Sequence, residues 1–534
     1  MSFIRAIVRA SLLAVLIGAL QPGFLLFGQE PEKAPVTTIK VASRLVFLDV
    51  TVLDKSGHPV VTGLTRDDFT ISEGKRPQRI FSFEAPESHT TGDEAASDDT
   101  VGKAPVTILV LDLLNSSYDD FAYIRFELER YLTAQPAQLA TPCELMVLGN
   151  NSLQMVQGYT RNREDLISAL HHMPRALPYK LSPAFIGERF IQSTSALKQI
   201  ALQNKGIPGR KNIIWLGQGS PSIKAEDVIG KSQEWVGRYM RNTTDLLVDA
   251  RVTLYVLHLS LGLSLETMYV AAAANSAQHG HDPFAEGLNF GVFMSETGGK
   301  FFYNRNDVDG EIKDAQKLGS NYYTLTYQPQ ESVSADTFKP IKVTVRNSEF
   351  TVMTKTGYFS PETVGTVESR HHVITDLNEA VLSDVPFRNL QMALGQVVRH
   401  PDTGTAEFTV NLGLKDLSWQ QGEDGKSTAN LRLAAVCMTA QRGIAASRVE
   451  TVTVQSPTDD PTLRPKYITQ VSLTLRVPRQ TKNIRVVMQT VEGGRLGSVD
   501  VDRKTLDAAS ATPTPAATLI ARPTPRSRDV PAKP

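Results

Sequence analysis

The chain has only two cysteines among 534 residues, Cys143 and Cys437. So few thiols exclude a Cys-rich metal module and a framework of several disulfides. Each cysteine lies in an apolar, strand-like run, and the two runs belong to different predicted domains. We expect two small buried hydrophobic residues, and a single disulfide in an oxidising compartment is the alternative.

Excess charge of either sign is also missing, because 56 basic residues balance 56 acidic ones. This balance argues against nucleic acid and against an anionic membrane surface as partners. The composition, 41% hydrophobic and 21% charged, is typical of a soluble globular protein. The length exceeds one ordinary core and predicts about two to four domains.

A catalytic motif is lacking as well. The stretch Gly217–Pro221 follows an apolar run but has the order Gly-Gln-Gly-Ser-Pro, not the Gly-x-Ser-x-Gly of a nucleophile elbow. His258 ends a predicted strand, yet no nucleophile is paired with it by spacing. We therefore predict no enzymatic activity, and a hydrolase at the edge of a sheet is the least favoured alternative.

The N-terminus, residues 1–28, is typical of an export signal. Arg5 and Arg9 precede the apolar run Ala10–Leu20, and Gln21-Pro22 breaks the helical pattern. An uncleaved anchor is the alternative, since Ile4–Phe27 supplies the ~20 residues that a bilayer span requires. Either way we expect an exported protein in the periplasm, the cell envelope or the extracellular space, with membrane contact only through this segment.

The stretch Val106–Asp120 organises the rest of the chain. Its first six residues form an apolar run of the kind buried on both faces of a parallel sheet, and the run stops at Asp112. A polar loop follows, and then an amphipathic helix that Ser117, with Asp120 three residues later, can cap. Polar side chains thus stand where a central strand leads into a helix, the edge at which open α/β sheets bind ligands.

Strands and helices alternate over 104–318, which predicts a doubly wound, mostly parallel sheet. The β segments 37–85 and 319–360 flank this block, and we predict that they pair in one β unit around an inserted α/β domain. Residues 86–103 are predicted to be a linker. Regular strand spacing over 373–503 predicts a β-sandwich, and the Pro/Thr/Ala-rich tail 505–534 is predicted to be disordered.

The loop after the first strand resembles that of a von Willebrand factor A (VWA) domain, a family with Asp-x-Ser-x-Ser at this point. Asp112 and Ser116 match the pattern, and Leu114 does not. The phrases DVTVLDKSGHPVVTGLTRDDFTISEGKRPQRI, ETGGKFFYN, NYYTLTYQP and KTGYF are similar to the VWFA-related domain proteins typical of acidobacteria. The resemblance implies a multidomain α/β plus β fold, with a Rossmann-like VWA domain flanked by β-sandwich-like units.

The resemblance also implies a cation site with further ligands from two other loops, a Thr and an Asp. Gln218 stands where the family has the Asp, and Ser193 or Thr194 is the nearest candidate for the Thr. We therefore predict a degenerate metal site with no cofactor beyond weakly bound Mg²⁺. Its metal ligands would be Asp112 and Ser116, with partner-binding residues at Asn115, Ser117, Gln218 and Ser220.

A simpler hypothesis is that Asp112 and Ser116 merely cap the following helix and that the loop holds no ion. The family implies that the exported chain binds another protein or an envelope component, without catalysis. The alternative is a working Mg²⁺-dependent adhesion protein.

Overall fold

A computed structural model describes residues 45–89, 104–173, 177–224, 231–258, 284, 287–303, 307–329, 337–359, 376–422, 426–492 and 494–509. The predicted signal at 1–28 lies outside these residues, as do most of the linker and nearly all of the tail. Among the described residues, no helix combines the length and the hydrophobicity needed to cross a bilayer. The chain divides into two compact units, Met1–Leu197 with Pro208–Glu362, and Lys198–Ile207 with Thr363–Pro534.

The strands before residue 362 are β1 (Val46–Leu53), β2 (Phe69–Glu73), β3 (Arg76–Gln78), β4 (Ile80–Glu84), β5 (Val106–Asp112), β6 (Gln138–Leu148), β7 (Leu153–Asn162), β8 (Lys211–Leu216), β9 (Ile223–Lys224), β10 (Val252–Leu257), β11 (Gly287–Leu288), β12 (Lys300–Phe302), β13 (Tyr323–Tyr327), β14 (Phe338–Val345), β15 (Thr351–Met353) and β16 (Gly357–Phe359). Among the helices of the described residues are α1 (Tyr118–Thr133), α2 (Arg163–His172), α3 (Ile186–Asn204), α4 (Lys231–Asp249), α5 (Phe290–Glu296), α6 (Val308–Ser320) and α7 (Arg503–Ala508).

The α/β part of the first unit is built on a six-stranded sheet in the order β12-β10-β8-β5-β6-β7. All neighbours are parallel except β7, which returns antiparallel to β6. Every residue of β5, β8 and β10 is buried, as expected of continuous apolar strands covered on both faces. The chain runs outwards from β5 to β6 on one side and resumes at β8 on the other. A topological switch point therefore lies between the carboxyl ends of β5 and β8.

Two antiparallel four-stranded sheets flank this block, in the orders β15-β1-β13-β4 and β16-β14-β2-β3. The ladder pairs Val46 with Tyr327 and Val50 with Tyr323, and a second ladder pairs β2 with β14. Leu48 and Leu325 are buried in a core to which both sheets contribute. The segments before and after the α/β block thus share hydrogen-bonded ladders.

The second unit contains the strands β17 (Met392–His400), β18 (Thr405–Gly413), β19 (Gln420–Gln421), β20 (Ser427–Met438), β21 (Ile444–Gln455), β22 (Ile468–Arg476), β23 (Asn483–Thr490) and β24 (Leu496–Asp502). They form two antiparallel sheets, β17-β18-β22 and β19-β20-β23-β24, with β21 paired to β20. Side chains from both sheets, such as Phe408 and Leu433, share one hydrophobic core. The observed class is therefore α/β plus β, as the alternation of elements predicts.

Several element boundaries differ from the sequence prediction. The residues before Gly298-Gly299, a pair that typically ends a helix, predict a helix over 285–297. The observed helix begins only at Phe290, because the Asn289 side chain caps it by accepting from Gly291 N. Residues 376–382 are helical inside a stretch predicted to contain strands alone. The tail predicted from residue 505 overlaps α7, which Asp502 caps by accepting from Thr505 N.

The predicted linker 86–103 begins with an ordered turn. Pro86–His89 forms a 3₁₀ turn, and the His89 ring is buried against Tyr322 with 4.2 Å between ring centroids. Both cysteines are free and buried, and burial raises the pKa of each thiol, that of Cys437 to about 11. These are the properties of small hydrophobic core residues.

Candidate functional site

The loop that joins β5 to α1 reaches the switch point from one side. Ser117 is the N-cap of α1, since its Oγ accepts a hydrogen bond from Asp120 N at 3.1 Å and donates to Asp120 Oδ2 at 2.7 Å. The predicted cap is therefore confirmed. The hypothesis that Asp112 and Ser116 cap this helix is wrong, because the hydroxyl one residue later already occupies the capping position.

The turn after β8 reaches the switch point from the other side and passes very close to the first loop. Gly217 has φ +145°, and a Cβ placed there would lie 2.6 Å from Asp112 Cβ and 3.1 Å from Ser116 Oγ. A larger residue cannot occupy this position without moving one of the two loops. Glycine at 217 thus sets the distance between the two chain segments that form the site.

The Asp112 carboxylate lies at the centre of the site and is fully buried. Its Oδ1 accepts from Asn115 N and Asn115 Nδ2, both at 3.0 Å. Its Oδ2 accepts from Asn115 Nδ2 at 3.0 Å and from Trp215 Nε1 at 2.9 Å. Each oxygen therefore receives two donor contacts, which matches the roughly four lone-pair sites of an ionised carboxylate.

Burial determines the acidity of this group. Removal from water raises the pKa of Asp112 to about 6, although hydrogen bonds from Trp215 and Asn115 and the charge of Arg189 lower it. Each hydrogen bond that the described residues make with this carboxylate is donated to it, so these bonds favour the ionised form and limit the rise in pKa that burial causes.

The Asn115 side chain connects this carboxylate to α3. Its Nδ2 also donates to Ser193 Oγ at 2.9 Å, and its Oδ1 accepts from Arg189 Nε at 3.0 Å. Ser193, one of two candidates for the Thr ligand of the family's cation site, therefore does face the loop. Thr194 does not, because its Oγ1 donates to Phe190 O at 2.9 Å within the same helix.

The other predicted residues lie around this cluster. Ser116 and Ser220 are buried, and within the described part of the chain neither hydroxyl has a hydrogen-bond partner. Gln218, between the two glycines of the second turn, is half-buried. The structure places Asp112, Asn115 and Ser116 in the first loop, against Gly217 of the second turn. Gln218 and Ser220 follow Gly217 in that turn, and Ser117 caps α1.

His258 follows β10 at the same edge. Burial lowers the pKa of His258, and the negative charge of Asp120 opposes this effect. Its ring packs against Phe301 with 5.9 Å between centroids. The residues that directly follow His258 in the chain lie outside the described residues.

The cluster fits poorly around a metal ion. A divalent cation binds to oxygen lone pairs that no other group occupies. The oxygen lone pairs of the Asp112 carboxylate already accept hydrogen bonds from N–H groups. The buried Arg189 guanidinium adds a positive charge beside the same amide. Across the described residues, moreover, no three His, Cys, Asp or Glu side chains converge as a metal site would need.

Sequence reasoning missed two members of the cluster. Trp215 appears in the sequence only as one residue of an apolar strand, and Arg189 as a charged residue near the start of a helix. Neither position carries a local signal, because their roles depend on residues more than seventy positions away in the chain.

Comparisons with known proteins give structural likenesses only. No protein-family model matches the chain, and no match is found among curated proteins. Among solved structures, proximal thread matrix protein 1 from the mussel byssus aligns at 9% identity and TM-score 0.25, covering 44% of this chain and 50% of that one. The VWA domain of SpRpn10 aligns at 21% identity and TM-score 0.18, covering 31% of this chain and 78% of that domain. The chain thus spans about half the length of the thread matrix protein.

Proposed function

We propose that the chain is an exported VWA-type binding protein of the VWFA-related group. Its partner, a protein or an envelope component, contacts the carboxyl edge of the six-stranded sheet without a bridging metal ion. The strand order supports this placement, because the reversal between β5 and β8 puts two loops side by side at that edge. The proposal that the chain is exported is based on the two arginines and the apolar run near its N-terminus.

The hydrogen bonds that the Asp112 carboxylate accepts are the observation that supports binding of the partner without a metal ion. Four donor contacts of 2.9–3.0 Å from Asn115 and Trp215 use both of its oxygens. A partner carboxylate bridged through a cation would need those oxygens as ligands. The surface left for direct contact includes the exposed Tyr118 at the start of α1 and the half-buried Gln218 in the second turn.

Absence of catalysis is part of the same proposal. His258 is the general-base candidate at this edge, and burial lowers its pKa. Ser116 and Ser220 are hydroxyls of the two loops at the switch point, and each is buried. A hydrolase would need a nucleophile hydrogen bonded to such a base, and neither serine has a hydrogen-bond partner among the described residues.

Site-specific photocrosslinking in the native envelope tests the proposal. A crosslinking residue at Gln218 or Tyr118 should capture the same partner in EDTA and in Mg²⁺. The control position is Arg130, an exposed residue near the far end of α1. It lies about 20 Å along the helix from the N-cap, by the rise of 1.5 Å per residue.

Capture only in the presence of Mg²⁺ would instead support the adhesion alternative. Equal capture from Arg130 would show that the partner does not bind at this edge. A hydrolase would be indicated if turnover of an envelope substrate were lost on changing His258→Ala.

A further inference from the structure

The Asn115 amide occupies a cradle of oxygen atoms. Its Nδ2 lies 3.0 Å from each carboxylate oxygen of Asp112 and 2.9 Å from Ser193 Oγ. Asp112 and Ser193 are fully buried and come from two segments of the chain, β5 and α3. One carboxylate and one hydroxyl around a shared point are the hard oxygen ligands that Mg²⁺ or Ca²⁺ prefers.

Groups of the chain itself already offset the negative charge of the Asp112 carboxylate in this cradle. The Asn115 amide presents two N–H groups to the three oxygen atoms, so these oxygens face the positive ends of its N–H dipoles. Arg189 Nε donates to the other end of the same amide at 3.0 Å. This bond polarises the amide and places a full positive charge one group away from the Asp112 carboxylate.

We propose that the Asn115 side chain, held by Arg189, is a permanent internal substitute for a cation in this cradle. The β5–α1 loop is therefore held in its binding geometry by covalently attached groups, and it is ordered whether or not divalent ions are present. Removal of the amide and of the guanidinium would expose a latent cation site formed by Asp112 and Ser193. This inference deepens the proposed metal-independent function and rests on it.

The first experiment uses the unmodified protein with MgCl₂ and MnCl₂ as probes. The chain has three tryptophans, so ¹⁵N-tryptophan labelling gives three indole N–H signals, and Trp215→Phe identifies the one bonded to Asp112. We expect the Trp215 signal to be identical in EDTA and in Mg²⁺. A shift that saturates at micromolar Mg²⁺ and vanishes in Asp112→Ala would overturn the proposal, because a cation would then occupy the cradle.

The second experiment opens the cradle. Calorimetry should show Mg²⁺ binding by Asn115→Ala/Arg189→Gln at least about tenfold tighter than by the unmodified protein, reaching about millimolar or tighter. Adding Asp112→Asn should abolish the gain. The matched control is Asn150→Ala, a buried asparagine after β6 whose Nδ2 donates to Leu177 O at 2.8 Å, which should gain no affinity.

Near-UV circular dichroism shows whether each variant is folded. A folded double variant that gains no affinity would contradict the cradle. If the double variant does not fold, the indole signals of the unmodified protein decide the question alone. Both experiments omit the partner, so failure of the crosslinking test would leave their outcome unaffected.

Discussion

The indole Nε1 of Trp215 donates a hydrogen bond of 2.9 Å to Oδ2 of Asp112. The two residues belong to adjacent parallel strands and are both fully buried. A tryptophan N–H is a donor only, so this bond favours a negatively charged Asp112 and uses a lone pair that a cation would otherwise need. At the switch point between the two strands, the buried carboxylate is therefore hydrogen bonded to an N–H group of the neighbouring strand.

The first prediction concerns pH. The pKa of Asp112 is raised from 3.8 to about 6 in the folded protein. The native state therefore binds this proton more tightly than the unfolded state, and the contribution of Asp112 to stability falls as pH rises between about 4 and 6. The unfolding free energy of the unmodified protein minus that of Asp112→Asn should fall by up to about 3 kcal/mol across this range.

Urea unfolding of both proteins at several pH values measures this difference. Asp54→Asn is the control, because hydrogen bonds from the backbone of His58 and Ser56 hold the pKa of the exposed Asp54 below its ordinary value. Its contribution should change in the opposite direction, present above pH 4 and lost as pH falls. A difference for Asp112→Asn that stays constant with pH would contradict the prediction.

The second prediction concerns the contact between the two loops. Gly217→Ala should lower the unfolding free energy by about 2–4 kcal/mol, because the new Cβ would overlap Asp112 Cβ and the backbone is strained for any side chain. Gly57→Ala is the matched control, with φ +78° and no atom within 4 Å of the added Cβ. It should lose only about 1–2 kcal/mol for its backbone conformation. Equal losses in urea unfolding would refute the close approach.

The third prediction concerns the ion pair between Arg251 and Asp49 in the first unit. Burial raises the pKa of Asp49, but the charge and hydrogen bonds of Arg251 outweigh this and hold the pKa below its ordinary value. Arg251→Met would leave the largely buried Asp49 carboxylate without its ion-pair partner, with Arg210 as the remaining nearby charge, and should lower the unfolding free energy by about 3 kcal/mol.

The exposed pair Lys55–Glu349 is the matched control, and Lys55→Met should lose no more than about 1 kcal/mol. Thermal unfolding of the two variants compares the pairs directly. A loss in Arg251→Met as small as that in Lys55→Met would show that Asp49 has another source of stabilisation.

The fourth prediction concerns export. Arg5, Arg9 and the apolar run Ala10–Leu20 predict processing of the full chain in a bacterial host, with a mature N-terminus near residues 20–30. N-terminal sequencing of the protein from the periplasm or medium checks this. An uncleaved chain in the membrane fraction would indicate the anchor, and full-length protein free in the cytosol would contradict both forms.

The sequence by itself determined the features that depend on neighbouring residues. Predominantly apolar runs without regular polar alternation identified β5, β8 and β10, since a strand buried on both faces needs no such alternation. The pair Ser117 and Asp120 identified the start of α1, because capping involves groups three positions apart. The coarse class, α/β plus β, followed from the order of such local patterns.

Only the tertiary structure decided what surrounds Asp112. The carboxylate accepts a hydrogen bond from Trp215 of β8, and the neighbouring Asn115 amide contacts Ser193 and Arg189 of α3. All three residues are far from Asp112 in the chain. Whether a buried carboxylate meets a cation, a water or an N–H group depends on strand register and helix rotation, which no local pattern encodes. Sequence reasoning therefore identified where the site lies, and the long-range hydrogen bonds decided its chemistry.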